Sequence, residues 1–131
     1  MVLSIVAAVV CCVAGLFGIG GIVVLGEQAV EGQAKHAAED FYRHLMDGKY
    51  VRAYTLLCDG EQSRRTVREF QQLVDDGPDI VSYEIGQLEV LVDRVSVPVE
   101  LGVRGANPRQ VRLRLAQDPA TGEFRVCGPW V

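Results

Sequence analysis

The sequence predicts an α+β protein: an N-terminal transmembrane helix, then three helices packed on a curved antiparallel sheet of about four strands. Three observations predict it. The first 26 residues carry no charged side chain, residues 34–76 repeat apolar positions at helical spacing, and from Ile80 onward the repeat falls to two.

Residues 2–25 are almost wholly apolar. A helix of that length spans about 36 Å, enough to cross a hydrocarbon core of about 30 Å with some tilt. A cleaved secretory signal would have a basic leader, a shorter apolar run and a small-residue cleavage site. Here the one small-x-small site, Gly32 to Ala34, lies beyond Glu27 and Glu31, so the expectation is a retained anchor. Valines precede Cys11 and Cys12, where a lipid-attachment signal needs a small residue. Glu27 and Glu31 come before the first lysine, Lys35, so the sequence is expected to hold its N-terminus in the cytoplasm and its C-terminal part outside. No basic flank precedes the run; either the α-amino group alone marks the inside or the start lies downstream of a basic tail. Ala7, Cys11 and Gly15 share one helical face, but no GxxxG motif accompanies them.

The expected organisation is an anchor at 1–26, a juxtamembrane linker at 27–33 and an extracytoplasmic domain at 34–131. The net charge of −4 belongs entirely to the part after residue 26, and this mild acidity argues against nucleic acid as a partner. Arginine outnumbers lysine eleven to two, which reads as GC-rich bacterial coding rather than an arginine-specific function. Cys58 and Cys127 are the cysteines outside the apolar run, and on the oxidising side of a membrane they are natural disulfide partners. Closing a loop of roughly 70 residues would stabilise a small domain by about 4 kcal/mol in the chain-entropy description.

In the domain, Ala34, Ala38, Phe41 and Leu45 mark a helix ending at Asp47-Gly48. Tyr50, Ala53, Tyr54 and Leu57 mark a short second helix, broken at Cys58-Asp59-Gly60. Ser63 or Thr66 caps a third, with Thr66 and Glu69 spaced as a capping box and Val67, Phe70, Leu73 and Val74 as its apolar stripe; Asp75-Asp76-Gly77-Pro78 stops it. Val81, Tyr83 and Ile85 then alternate, and the phase slips at Gly86 before Leu88, Val90 and Val92. After a turn at Asp93-Arg94, Val95, Val97, Val99, Leu101 and Val103 form one face of a strand. Pro98 requires that strand to be an edge or to carry a bulge. Val111, Leu113 and Leu115, and then Phe124 and Val126, complete the antiparallel hairpins.

The run from Ala38 through Phe41-Tyr42, Asp47-Gly48, Ala53-Tyr54 and Leu56-Leu57-Cys58 resembles the opening of the nuclear transport factor 2-like superfamily. The closing Phe124-Arg125-Val126-Cys127-Gly128 resembles the ending of its single-pass, membrane-anchored bacterial members of unknown function. The resemblance spans nearly all of 34–128 and implies a cystatin-like, nuclear transport factor 2-like fold. It also implies a conical pocket, which in the superfamily's steroid isomerases and polyketide cyclases holds a catalytic Asp on a strand after the second helix. Here Ser63–Val74 reads as a helix at that place, so no residue inherits the role.

Phe41, Tyr42, Tyr54 and Tyr83 are the candidates to line such a pocket, although aromatic residues on core faces most often pack. His36, Asp40 and His44 fall in line along a helix, but two imidazoles about 12 Å apart cannot meet one ion. Arg104, Arg112, Arg114 and Arg125 form a candidate basic stripe on the outward face of the sheet. There is no nucleophile elbow, zinc spacing or dinucleotide loop, so no catalytic residue, metal or cofactor is assigned. The expected function is a membrane-tethered binding domain for a protein partner or a small apolar ligand of the cell envelope. The alternative is an isomerase or lyase of the cyclase type using Asp40 or His44 as base.

Overall fold

The computed structural model describes residues 29–90 and 94–131. The chain divides into two compact units, Met1–Gly32 and Gln33–Val131. The expected membrane anchor lies outside the described residues, among which no helix is long and apolar enough to cross a membrane.

The first helix, α1, occupies residues 29–46 and buries Ala34, Ala38, Phe41, Tyr42 and Leu45 along one face. It ends as Asp47-Gly48 predicts. Gly48 takes a left-handed φ of 69°, its N–H donates to the Leu45 carbonyl, and the Lys49 N–H donates to that of His44, so the last turn leaves few orphan carbonyls. Helix α2 (Tyr50–Thr55) follows and buries Ala53.

The expected break at Cys58-Asp59-Gly60 separates α2 from a further short helix, α3 (Asp59–Arg64), which makes four helices among the described residues where three were expected. It has no buried residue and therefore no apolar stripe to betray it; Asp59 and Glu61 in its first turn complement the helix dipole. Its hold on the fold is polar. The Gln62 side chain donates to the carbonyls of Leu57 at 3.0 Å and Tyr54 at 3.1 Å, and the Tyr54 hydroxyl lies 2.8 Å from the Arg65 carbonyl. Helix α4 (Val67–Asp76) opens on a capping box: the Glu69 N–H donates to the Thr66 hydroxyl and the Thr66 N–H to the Glu69 carboxylate at 2.7 Å. It stops before Gly77-Pro78. Phe70 is its buried anchor, whereas Leu73, expected in the apolar stripe, is exposed.

The strands are β1 (Ile80–Ile85), β2 (Glu89–Val90), β3 (Val95–Val103), β4 (Arg109–Gln117) and β5 (Phe124–Gly128). Their order is β1-β3-β4-β5, all antiparallel, with the two-residue β2 also on β3. Val97 opposes Leu113, Val95 opposes Leu115, and Leu115 opposes Val126, so the inward face is a continuous aliphatic surface. Two expected inward residues are exposed instead. Val81 is the extra residue of a register shift between Ile80 and Ser82, and Val90 lies in the short β2 ladder, which is paired on one side only.

Pro98 lies in the middle of β3, not in an edge strand. Its carbonyl accepts from the Gly86 N–H at 2.8 Å, so the position of its missing N–H faces the same side, where β1 has ended and β2 has not begun. The phase slip at Gly86 and the proline are therefore one feature: the neighbouring chain leaves its ladder where β3 has no donor. A Cβ on Gly86 would lie 2.9 Å from Pro98 Cγ, so glycine also permits the close approach.

Between helices and sheet the interior is aromatic. Phe41 packs on Tyr42, Phe70 and Trp130 with ring centroids 5.4, 6.5 and 6.2 Å away, and Tyr83 stacks on Tyr42 at 5.7 Å. Rings of this size dominate the energetics of a core; truncating one to alanine typically costs about 3–5 kcal/mol.

Candidate functional site

The chain brings Cys58 to Cys127 by backbone pairing. The Cys58 N–H donates to the Val126 carbonyl and the Val126 N–H to the Leu56 carbonyl, each at 2.8 Å, so the segment after α2 lies parallel against the outer edge of β5. Arg114 opposes Gly128 while Leu115 opposes Val126, which leaves Cys127 as the extra residue of a bulge. Such a bulge re-aims a side chain where regular alternation would not place it. The two thiols are free rather than joined in a disulfide, and the Cys127 thiol donates to the Arg125 carbonyl at 4.0 Å. Burial, followed by the adjacent Cys58, pushes the Cys127 thiol up to about 12, with Arg114 opposing and Glu61 adding to the shift.

Around Cys127 opens a cleft of about 450 Å³, within the size range of small-molecule sites. Glu61 and Arg65 come from α3 and the residue after it, Leu73 from α4, Arg114 from β4, and Trp130 with its flanking residues from the chain after β5. Glu61 is held by Arg64 at 3.4 Å and Arg65 at 3.5 Å, and the Arg65 guanidinium lies over the Trp130 ring, 5.3 Å from its centroid. Arg114 donates through Nε to the Gly128 carbonyl at 3.4 Å. The wall is therefore mixed: the Trp130 indole with Leu73, Pro129 and Val131, the Cys127 thiol, two guanidinium groups and the Glu61 carboxylate.

None of the four aromatic candidates lines this cleft. Phe41 and Tyr42 are fully buried, Tyr83 stacks on Tyr42, and Tyr54 packs on Phe70 while its hydroxyl braces the end of α3. Their effect on the site is indirect, through the placement of Arg65 and Trp130. The Tyr42 hydroxyl donates to the Trp130 carbonyl at 3.0 Å, and burial raises its pKa well above the ordinary tyrosine value.

His36 and Asp40 lie 3.4 Å apart, and Asp40 is also bound by Arg43. His44 leaves a buried Nδ1 without a hydrogen-bond partner. Among the described residues, no group of three or more His, Cys, Asp or Glu side chains is arranged to hold a metal ion. The arginine stripe is dispersed: Arg104 pairs with Asp79 at 2.7 Å, Arg112 with Glu89 at 3.1 Å, Arg125 with Asp118 and Glu123, and Arg114 belongs to the cleft. Sequence reasoning singled out Cys127 and Arg114 but missed Trp130, Arg65 and Leu73 as site residues. A lone tryptophan just after a Cys-Gly-Pro stretch was the available signal.

This architecture, helices packed over an antiparallel sheet, is similar to the nuclear transport factor 2-like fold class. A crystal structure from Campylobacter jejuni, described provisionally as an NTF2-like transpeptidase, matches with a TM-score of 0.53 at 14% identity, over 72% of this chain and 97% of that one. At that identity the likeness is one of fold. No protein-family model matches the chain, and no curated protein matches it.

Proposed function

We propose that this chain is a membrane-tethered binding domain of the bacterial cell envelope, with its N-terminus cytoplasmic and its folded domain outside. Its cleft takes a protein partner or a small apolar ligand, and it works without a catalytic set, metal or cofactor. The observation that carries this reading is the division of roles among the aromatic residues. Phe41, Tyr42 and Phe70 fill the interior between helices and sheet, while the open site, walled by Leu73 and Trp130, contains Glu61 already engaged by two arginines.

The anchor and orientation rest on the uncharged opening of 26 residues and the acidic Glu27 and Glu31 that follow it. In the oxidising envelope, the neighbouring thiols of Cys58 and Cys127 close into a disulfide that ties α3 to β5. The neighbour's description as a transpeptidase is not carried over: at 14% identity the likeness is one of fold, and no histidine lines the cleft. The cyclase-type alternative, with Asp40 or His44 as base, has neither residue in the cleft.

Trp130 is the one tryptophan of the chain, so its emission reports cleft occupancy. Full-length protein in nanodiscs is expected to shift that emission when a small-molecule or protein extract of its own envelope is added. Leu73→Glu should abolish the shift. Unchanged emission with every fraction, from a protein that also cross-links to nothing in intact membranes, would overturn the reading.

A further inference from the structure

The cations in the cleft are not equivalent. Arg65 is matched by Glu61 at 3.5 Å and stacked on Trp130, so its charge is largely spoken for within the wall. Arg114 has no carboxylate partner among the described residues; it uses only Nε, on the Gly128 carbonyl, and its two terminal nitrogens are unengaged. It projects from β4 opposite Gly128, a position without a side chain, beside the bulge that lifts Cys127. The apolar wall of Leu73 and Trp130 completes the same cleft.

We propose that the cleft binds a singly charged aliphatic carboxylate, its head group on the guanidinium of Arg114 and its hydrocarbon chain along Leu73 and Trp130. This rests on the cleft being a binding site and names what it selects. One unmatched guanidinium fits one carboxylate through two parallel N–H···O bonds. A second negative charge would find Arg65 already matched and Glu61 repelling it. An exposed arginine alone contributes little to affinity, so the chain's burial supplies binding and Arg114 supplies discrimination.

The test uses full-length protein in nanodiscs, titrated with hexanoate, hexanamide and hexyl phosphate while Trp130 emission is followed and calorimetry gives the affinities. Hexanoate should bind at least tenfold more tightly than hexanamide, which has the same chain and no charge. Arg114→Gln should bring that ratio close to one, and Arg114→Lys should restore part of it, with melting temperatures showing that all variants fold. Equal affinity for hexanoate and hexanamide overturns the carboxylate assignment while leaving a binding cleft. Tighter binding of hexyl phosphate overturns it in favour of a phosphate head group. Binding of none of the three overturns it, and the broader reading then rests on the envelope fractions alone.

Discussion

The hydroxyl of Tyr42 on α1 donates to the backbone carbonyl of Trp130, 88 residues away, at 3.0 Å, and so fixes the segment that walls the cleft to the centre of the core. Tyr42→Phe keeps the ring contacts but leaves that carbonyl unmatched, and should cost about 1–2 kcal/mol of stability by urea unfolding. Trp130 emission should shift in the folded variant. An unchanged spectrum and midpoint would show that the hydrogen bond does not position Trp130.

The same burial makes stability fall in alkali. The folded-state pKa of Tyr42 is raised, so above the ordinary value of 10.0 the unfolded chain loses this proton first. Its contribution is fully present below pH 10 and is lost as pH rises, with a limiting slope of about 1.4 kcal/mol per pH unit. In the reduced protein Cys127 adds loss of the same sign, starting from its ordinary 9.0. Denaturation midpoints measured from pH 8 to 11 should fall progressively; a flat profile would contradict the burial of these groups.

The backbone pairing of Leu56–Cys58 with Val126 makes Cys58 and Cys127 neighbours, and the proposed oxidising location would join them. Protein isolated from an oxidising compartment should gain the mass of two hydrogen atoms on reduction by a thiol reagent and lose about 4 kcal/mol of stability, less any strain in the bridge. The doubly substituted Cys58→Ser, Cys127→Ser protein should behave like the reduced form. Once reduced, Cys127 should alkylate slowly at pH 8 because its thiol remains protonated.

Two local substitutions probe positions that do not themselves line the cleft. Thr66→Ala removes the hydroxyl that accepts from the Glu69 N–H and should destabilise by about 1 kcal/mol, while Thr66→Ser should be close to neutral. Gly86→Ala forces a methyl group against Pro98, with 3.2 Å to its carbonyl oxygen, and should cost about 1–3 kcal/mol. A Gly86→Ala protein as stable as the parent would mean that the irregular 86–88 segment shifts freely away from β3.

Where a residue's role depends on its neighbours in sequence, the fold was readable. The capping box of Thr66 and Glu69, the stop at Gly77-Pro78 and the alternation through β4 and most of β3 appear where spacing predicts them, Ser96 being buried where the wet face was expected. Helix α3 escaped because it is polar throughout and held by the Gln62 side chain rather than by an apolar face. The phase slip at Gly86 was visible, but its pairing with Pro98 was not, since only the sheet order puts the two side by side. The cleft was least legible. Arg65, Leu73, Arg114 and Trp130 come from separated parts of the chain, and a one-residue bulge at Cys127 leaves no periodic trace. The aromatic candidates were recognisable as a group, but Phe41 and Tyr42 are buried core, while Tyr54 and Tyr83 are half-buried and pack on Phe70 and Tyr42.

The short clip between Leu56–Cys58 and β5 has a meaning for solubility as well as for the thiols. A terminal strand with free N–H and C=O groups is a template for another chain, and here two hydrogen bonds from the protein's own backbone occupy that template. Among the described residues the sheet is thus guarded at β5 and ends at β1 and β2 on the other side, where Val81 and Val90 are exposed. Strand-to-strand association between copies would be confined to that one side, away from the cleft.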